Sequence, residues 1–271
     1  MLSTATKIKA ARVLYRLLKL AGMRDEQTVT RSGVRYQLNL REGIDLAIFI
    51  FGGFQNHVAA VSPGRADAVI FDVGANCGAI TLAMAKRNPR AHIHSFEPTH
   101  YALKKLQRNL ALNPELTERV KVTQAFVGRR SGRVTHAAAY ASWRVDAAPD
   151  ADAHAAHAGV WKEATTAMLS LDDYAADQGI ARVGLLKIDT DGQELAVLAG
   201  AERLIATSRP RIVMEMCPYL MAEQNLTFRD YADMLGPAYR MTELRTGRPL
   251  DAASFAGVVP FGGIDVLAEV D

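Results

Sequence analysis

Cysteine is scarce. Two thiols, Cys77 and Cys217, stand far apart among 271 residues, and neither has a second Cys or a His at the spacing of a zinc site. A reduced, cytoplasmic compartment fits that usage. His154 and His157 share a helical spacing but lack carboxylate or thiol partners, so no metal is expected. Neither sign of charge dominates. The 32 Lys+Arg against 29 Asp+Glu leave a formal net charge of +3, which calls for no polyanionic partner such as a nucleic acid. Uncharged apolar length is missing at the start of the chain. Residues 3–21, STATKIKAARVLYRLLKLA, set Lys7, Lys9, Arg12, Arg16 and Lys19 among Ile8, Ala11, Leu14, Leu17 and Leu18, and that charge density excludes a membrane span. The pattern predicts an amphipathic helix packed on its own domain or on a second copy of the chain, with a peripheral membrane contact as the alternative.

The length suits one large α/β domain with an appendage rather than two full domains. Residues 1–66 read as an N-terminal helix and cap, and 67–271 as the core. From Asp67 onward, apolar runs alternate with helical patterns, as in βαβ units around a parallel sheet. The runs Ala68–Val73, His92–Phe96, Val120–Val127, Gly184–Asp189 and Arg211–Met216 read as its strands. Ala79–Lys86, Tyr101–Asn113, Leu171–Tyr174, Leu195–Ile205 and Phe228–Leu235 read as helices. Asn88-Pro89 and Asn113-Pro114 stop two of them, because proline cannot continue a helix. Tyr239–Leu244 and Ile264–Glu269 predict an antiparallel edge. Between Val127 and Leu171, the segment 129–167 breaks the rhythm with the run AAPDADAHAAHAG, too poor in bulky apolar residues to pack, and is expected to be a mobile insertion. The whole is a doubly wound, Rossmann-like α/β fold.

Phe71-Asp-Val-Gly-Ala-Asn-Cys-Gly78 is a glycine turn leaving a strand and entering a helix, the place where such sheets bind ligands. Gly74 permits a backbone conformation closed to other residues, and Gly78 permits close approach of the helix. The G-x-G-x-x-G of dinucleotide folds is absent, since Asn76 stands where its middle glycine would be. No Gly-Lys-Ser/Thr follows either, and Asp72 would set negative charge beside a phosphate. A cationic ligand without phosphate suits Asp72 better, and S-adenosylmethionine is one. Glu97, ending the next strand, stands where an acid accepts hydrogen bonds from ribose hydroxyls. Gln124, Ala125 and Phe126, running to Val127, would then flank adenine.

The segments IFDVGANCGAITLAMA, SFEPTHYALKKLQRNLALNP, TQAFVG, LSLDDY and LLKIDTDGQELAVLAGAERLI resemble the FkbM family of methyltransferases over about residues 50–217. Lys187-Ile-Asp-Thr-Asp-Gly-Gln-Glu194 is similar to that family's KIDVEGxE block. Gly52-Gly53-Phe54-Gln55 resembles an upstream segment in which an acid often follows the aromatic; here that position is Gln55. The resemblance implies a class I methyltransferase sheet, S-adenosylmethionine as cofactor, and O-methylation of a hydroxyl on a sugar, polyketide or other small metabolite, as in secondary metabolism.

An alcohol acceptor must lose a proton, so a base helps. Asp189, closing the fourth strand beside the first, is the leading candidate; Glu194 and Asp191 are the next, and both also suit capping of the following helix. Lys187 and Glu215 lie inside strands that should be neighbours, which predicts a buried ion pair. His57, in the segment expected to fold over the cleft, is a third candidate base, whereas His92 and His94 read as core or surface residues. Cys77 reads as a small turn residue and Cys217 as a packed one, since direct methyl transfer needs no covalent intermediate. Two other functions remain open. An N-methyltransferase acting on a small-molecule amine is one, although the Asn/Asp-Pro-Pro-aromatic block of base methylation is absent. A non-catalytic cofactor-binding or partner module is the other, disfavoured by the intact glycine turn, Glu97 and Asp189. A homo-oligomer is compatible with either.

Overall fold

The computed structural model describes residues 4–139, 144–146, 161–257 and 262–270, and every statement below concerns these. The N-terminal part comprises helix α1 (Thr4–Leu20), strands β1 (Glu26–Arg31) and β2 (Val34–Asn39), and helices α2 (Gly43–Phe51) and α3 (Asn56–Ala59). β1 and β2 form an antiparallel hairpin. Along β2 the pattern alternates, so Val34, Tyr36 and Leu38 turn inward.

The core then follows as β3 (Val69–Val73), α4 (Ala79–Arg87), β4 (His92–Phe96), α5 (His100–Ala111), α6 (Pro114–Thr117), β5 (Val120–Thr123), β6 (Phe126–Val127), β7 (Gly132–Ala139) and β8 (Trp161–Leu169). It continues with α7 (Leu171–Asp177), β9 (Leu185–Ile188), α8 (Glu194–Ala199), α9 (Glu202–Ser208), β10 (Arg211–Met216), α10 (Pro218–Glu223), α11 (Phe228–Leu235), β11 (Tyr239–Glu243), α12 (Ala252–Phe255) and β12 (Ile264–Val270).

The main sheet runs β11-β12-β10-β9-β3-β4-β5 among the described residues. Neighbours from β10 to β5 are parallel, and β12 is antiparallel to both β10 and β11. The expected doubly wound sheet with an antiparallel edge is what forms. Both its faces are covered, which is why the inner strands are apolar almost throughout. Phe71, Leu186, Ile188 and Met214 pack on one side with residues of α7, α8, α9 and α11. Ile70, Leu185 and Val213 pack on the other with α4, α5 and β2. The N-terminal part therefore shares a core with the sheet.

Local signals set the helix starts. Thr99 accepts a hydrogen bond from the Ala102 amide and Ser170 from the Asp173 amide, closing the first turns of α5 and α7.

Three expectations change. The Val120–Val127 run divides, because Phe126 and Val127 leave the main sheet and pair with β8. The Leu195–Ile205 helix breaks at Gly200, where a Cβ would lie 2.0 Å from the Gly128 carbonyl oxygen. The insertion expected over 129–167 is partly ordered, with β7 and β8 paired antiparallel from Gly132↔Met168 to Ala139↔Trp161. The alanine-rich run, His154 and His157 lie outside the described residues.

Candidate active site

The turn after β3 is built by close approach. Gly74 has φ +76°, and a Cβ there would stand 1.8 Å from the Asp189 backbone oxygen. The Gly74 and Ala75 amides both donate to the Phe96 carbonyl at 3.0 Å, stitching the turn to the end of β4. Glu97 follows directly and is buried. Its Oε2 accepts from the Asn76 amide at 2.9 Å, and its Oε1 accepts from the amide and hydroxyl of Thr99 at 2.8 and 2.7 Å. Oε2 thus has a single donor, which leaves a carboxylate oxygen further accepting capacity. Burial raises the Glu97 carboxyl above the usual range, against the pull of Thr99 and Asn76 donors. Asn76 has φ +49°, and its side-chain oxygen accepts from the Cys77 amide at 2.7 Å. Gln124 is exposed and donates to the Pro98 carbonyl at 3.3 Å, beside Glu97; Ala125 is buried and Phe126 half-buried.

Asp72 is wholly buried, and its surroundings are internal. Oδ1 forms an ion pair with Lys187 Nζ at 2.9 Å, and Oδ2 accepts from the Thr81 hydroxyl at 2.5 Å. The register makes this pairing, since Asp72 lies opposite Lys187 across β3 and β9. Lys187 stands opposite Val213 in β10, so the buried pair expected between Lys187 and Glu215 is replaced by one between Lys187 and Asp72. Lys187 also donates to the carbonyls of Val73 and Gly74, at 3.1 and 2.8 Å. Burial acts to lower its pKa, but Asp72 and then Asp189 outweigh that and hold the ammonium above its ordinary value. Together the two residues brace the glycine turn from beneath.

At the carboxyl ends of the strands, acids gather on the sheet face that carries α4 and the N-terminal part. Met214 of β10 pairs with Ile188 of β9, so Glu215 and Asp189 follow at one level. Asp265 of β12 lies opposite Glu215. Asp189 remains 25% exposed and has Lys187 Nζ 4.0 Å from its Oδ2. Burial, Asp265, Glu194 and Asp72 raise its pKa against the opposing charge of Lys187. Glu215 is pushed well above the carboxylate range by burial and then by Asp189 and Asp265, as expected where like charges share a site. His57 of α3 reaches across from the N-terminal part, its Nε2 2.5 Å from Asp265 Oδ2.

The other candidates divide plainly. Glu194 is buried, and its Oε1 accepts from the Thr190 amide, the Thr190 hydroxyl and the Gly192 amide at 3.0, 3.0 and 3.1 Å. It closes its own loop. Asp191 is exposed, with φ +51°. His94 bonds to the Tyr174 hydroxyl at 2.8 Å and is lowered to about 4 by burial, while His92 is exposed. Burial pushes the Cys77 thiol up to about 12, and Cys217 is half-buried. Among the described residues no group of three or more His, Cys, Asp or Glu is arranged to hold a metal ion. A groove of about 370 Å³ opens elsewhere, between Arg129, Ser170, Asp173 and Arg203. It shares no residue with the strand-end cluster.

Sequence reading missed Asp265 as a site residue and took Glu215 only as half of an ion pair. An acid alone in the otherwise apolar run Ile264-Asp-Val-Leu-Ala was the signal available for the former.

Residues 72–241 match the methyltransferase FkbM domain family. The 31-O-demethyl-FK506 methyltransferase FkbM of Streptomyces tacrolimicus is 31% identical over 176 residues, covering 57% of this chain and 66% of that protein. Methyltransferase 1 of Beauveria bassiana is 26% identical over 170 residues, covering 58% and 68% respectively. The match thus spans about two thirds of the length of these relatives. A crystal structure of a methyltransferase FkbM from Methylobacillus flagellatus KT aligns with a TM-score of 0.48 at 18% identity, over 75% of this chain and 44% of that one.

Proposed function

Because the chain belongs to the methyltransferase FkbM domain family, we propose that it transfers a methyl group from S-adenosylmethionine to a hydroxyl oxygen of a small organic molecule. The observation that carries this reading is the contact between the glycine turn and Asp189. The segment suited to a cofactor touches the backbone of the carboxylate suited to an acceptor, 1.8 Å from where a Gly74 Cβ would stand.

The residues fit the cofactor at Glu97 and along the turn, but not at Asp72. Glu97 would accept from the ribose hydroxyls through the remaining capacity of Oε2. Gly74–Gly78 would lie along the amino-acid part, and Gln124, Ala125 and Phe126 beside the adenine. Asp72, enclosed by Lys187 and Thr81, would act through the shape of the turn rather than by touching an ammonium. When bound, S-adenosylmethionine supplies an electrophilic methyl on a sulfonium.

The protein's share is alignment and proton removal. Asp189 would take the hydroxyl proton onto its carboxylate. Its raised pKa makes it a stronger base than an ordinary aspartate, and the Lys187 ammonium at 4.0 Å acts in the opposite direction, favouring the charged carboxylate. His57, held by Asp265, would line the acceptor side from the N-terminal part. The similarity to a 31-O-demethyl-FK506 methyltransferase supports oxygen as the acceptor.

The test is incubation of the purified protein and isotopically methyl-labelled S-adenosylmethionine with a panel of hydroxylated sugars, polyketides and extracts, followed by mass spectrometry. A labelled methyl ether is the expected product. Label on nitrogen alone, or no transfer although the cofactor binds, overturns the reading.

A further inference from the structure

α1 is apolar on two sides. Ala11, Tyr15 and Leu18 pack inward with Leu40, Leu46 and Val145. On the opposite side Val13, Leu17 and Leu20 are 55%, 56% and 85% exposed. At 3.6 residues per turn these three fall within an arc of roughly 60°, with Lys9 and Arg16, both exposed, along one edge of it. The helix contains no Asp or Glu, and exposed Arg24 follows it. Phe51, 70% exposed, ends α2, whose Phe49 and Ile50 pack in one small cluster with Leu18 and Met23 of the α1 end. Single exposed leucines need no explanation. A row at i, i+4 and i+7, edged by cations and free of acids, is the pattern of a helix lying in a membrane interface.

We infer that this face of α1 docks on an anionic lipid bilayer, Val13, Leu17 and Leu20 entering the interface while Lys9, Arg16 and Arg24 meet the headgroups. Charge selects the occupant. A two-fold contact with a second copy would set the Lys9 and Arg16 pair against its own image, whereas an anionic surface matches it. The helix lies on the bilayer rather than through it, since no described helix is long and apolar enough to cross a membrane.

The test is flotation of the full chain with vesicles of phosphatidylcholine and phosphatidylglycerol in equal parts, and with phosphatidylcholine alone. Wild type should float with the anionic vesicles, less so as salt rises, and far less with the neutral ones. Leu17→Glu combined with Leu20→Glu should bind at least about tenfold more weakly, with an unchanged thermal transition because both side chains are exposed. Arg16→Glu with Arg24→Glu reads the charge separately and should weaken anionic binding alone. Failure of wild type to bind anionic vesicles overturns the inference, as does full binding by either variant. So does a concentration-dependent dimer in light scattering that the leucine variant abolishes, which would make the face a contact between copies.

Discussion

Lys187→Met removes an ammonium while keeping most of the side chain's length, so it isolates the charge at the centre of the brace. The largest consequence falls on Asp72, which is wholly buried and loses its ion pair at 2.9 Å. Breaking a buried pair from one side typically costs about 3–5 kcal/mol, because the other charge is left uncompensated. The carbonyls lose less. Val73 O still accepts from the Asp189 amide at 3.1 Å, while Gly74 O loses the Lys187 donor at 2.8 Å. For a chain of this size the sum corresponds to a fall in Tm of about 10 °C. Adding Asp72→Asn removes the stranded charge and keeps an acceptor for Thr81, so the double variant should recover more than half of the loss. The assay is urea unfolding followed by circular dichroism for wild type, both single variants and the double, from which the coupling energy follows. A coupling of about 2 kcal/mol or more is expected. Losses that add to within about 0.5 kcal/mol would show that Asp72 and Lys187 do not act as a pair, and would return Asp72 to the ligand-facing role its sequence position suggested.

Glu97→Ala should weaken S-adenosylhomocysteine binding by about 1–3 kcal/mol in calorimetry, the loss usual for a charged hydrogen-bond partner; unchanged affinity would leave Glu97 a purely internal brace of Asn76 and Thr99. Gly74→Ala, with φ +76° and a Cβ 1.8 Å from the Asp189 oxygen, should lower stability by at least about 1–3 kcal/mol and abolish cofactor binding. A stable variant that binds normally refutes the close approach at the turn. Asp265→Asn should slow turnover about tenfold while leaving cofactor affinity alone. His57→Phe should cost as much, and the two together no more than either; additive losses would show that the pair at 2.5 Å does not work as a unit.

What the sequence made legible, it made legible through local chemistry. β4, β10 and α11 begin and end where apolar runs and breakers put them. The glycine turn and Glu97 lie on neighbouring strand ends as the motif required. Register was beyond reach. Reading Lys187 and Glu215 as strand neighbours was sound, but only the pairing shows Lys187 opposite Asp72 on one side and Val213 on the other. Glu194 had equal claims to capping and catalysis in the sequence, and in the structure its Oε1 meets three donors of its own loop. The β7–β8 pairing was hidden because strand formation there depends on a distant partner rather than on an alternating apolar pattern. Asp265 joins the site through an antiparallel edge that folds back beside β10, a juxtaposition no local pattern encodes. The break at Gly200 likewise depends on a carbonyl from Gly128, far away in sequence.

If a hydroxyl acceptor gives its proton to Asp189, Asp189→Asn measured across pH will show it. The substitution keeps size and removes the base, so turnover at saturating acceptor should fall about 100-fold or more, with cofactor affinity nearly unchanged. The sign follows from the shift. The Asp189 pKa is raised by burial and by its acidic neighbours, so wild-type activity should decline with falling pH above the ordinary carboxylate value of about 4, as the base takes up its proton. The variant, having no proton to take up there, should lack that limb. A variant that turns over normally, or keeps the same acid limb, would contradict the assignment and move the base to His57.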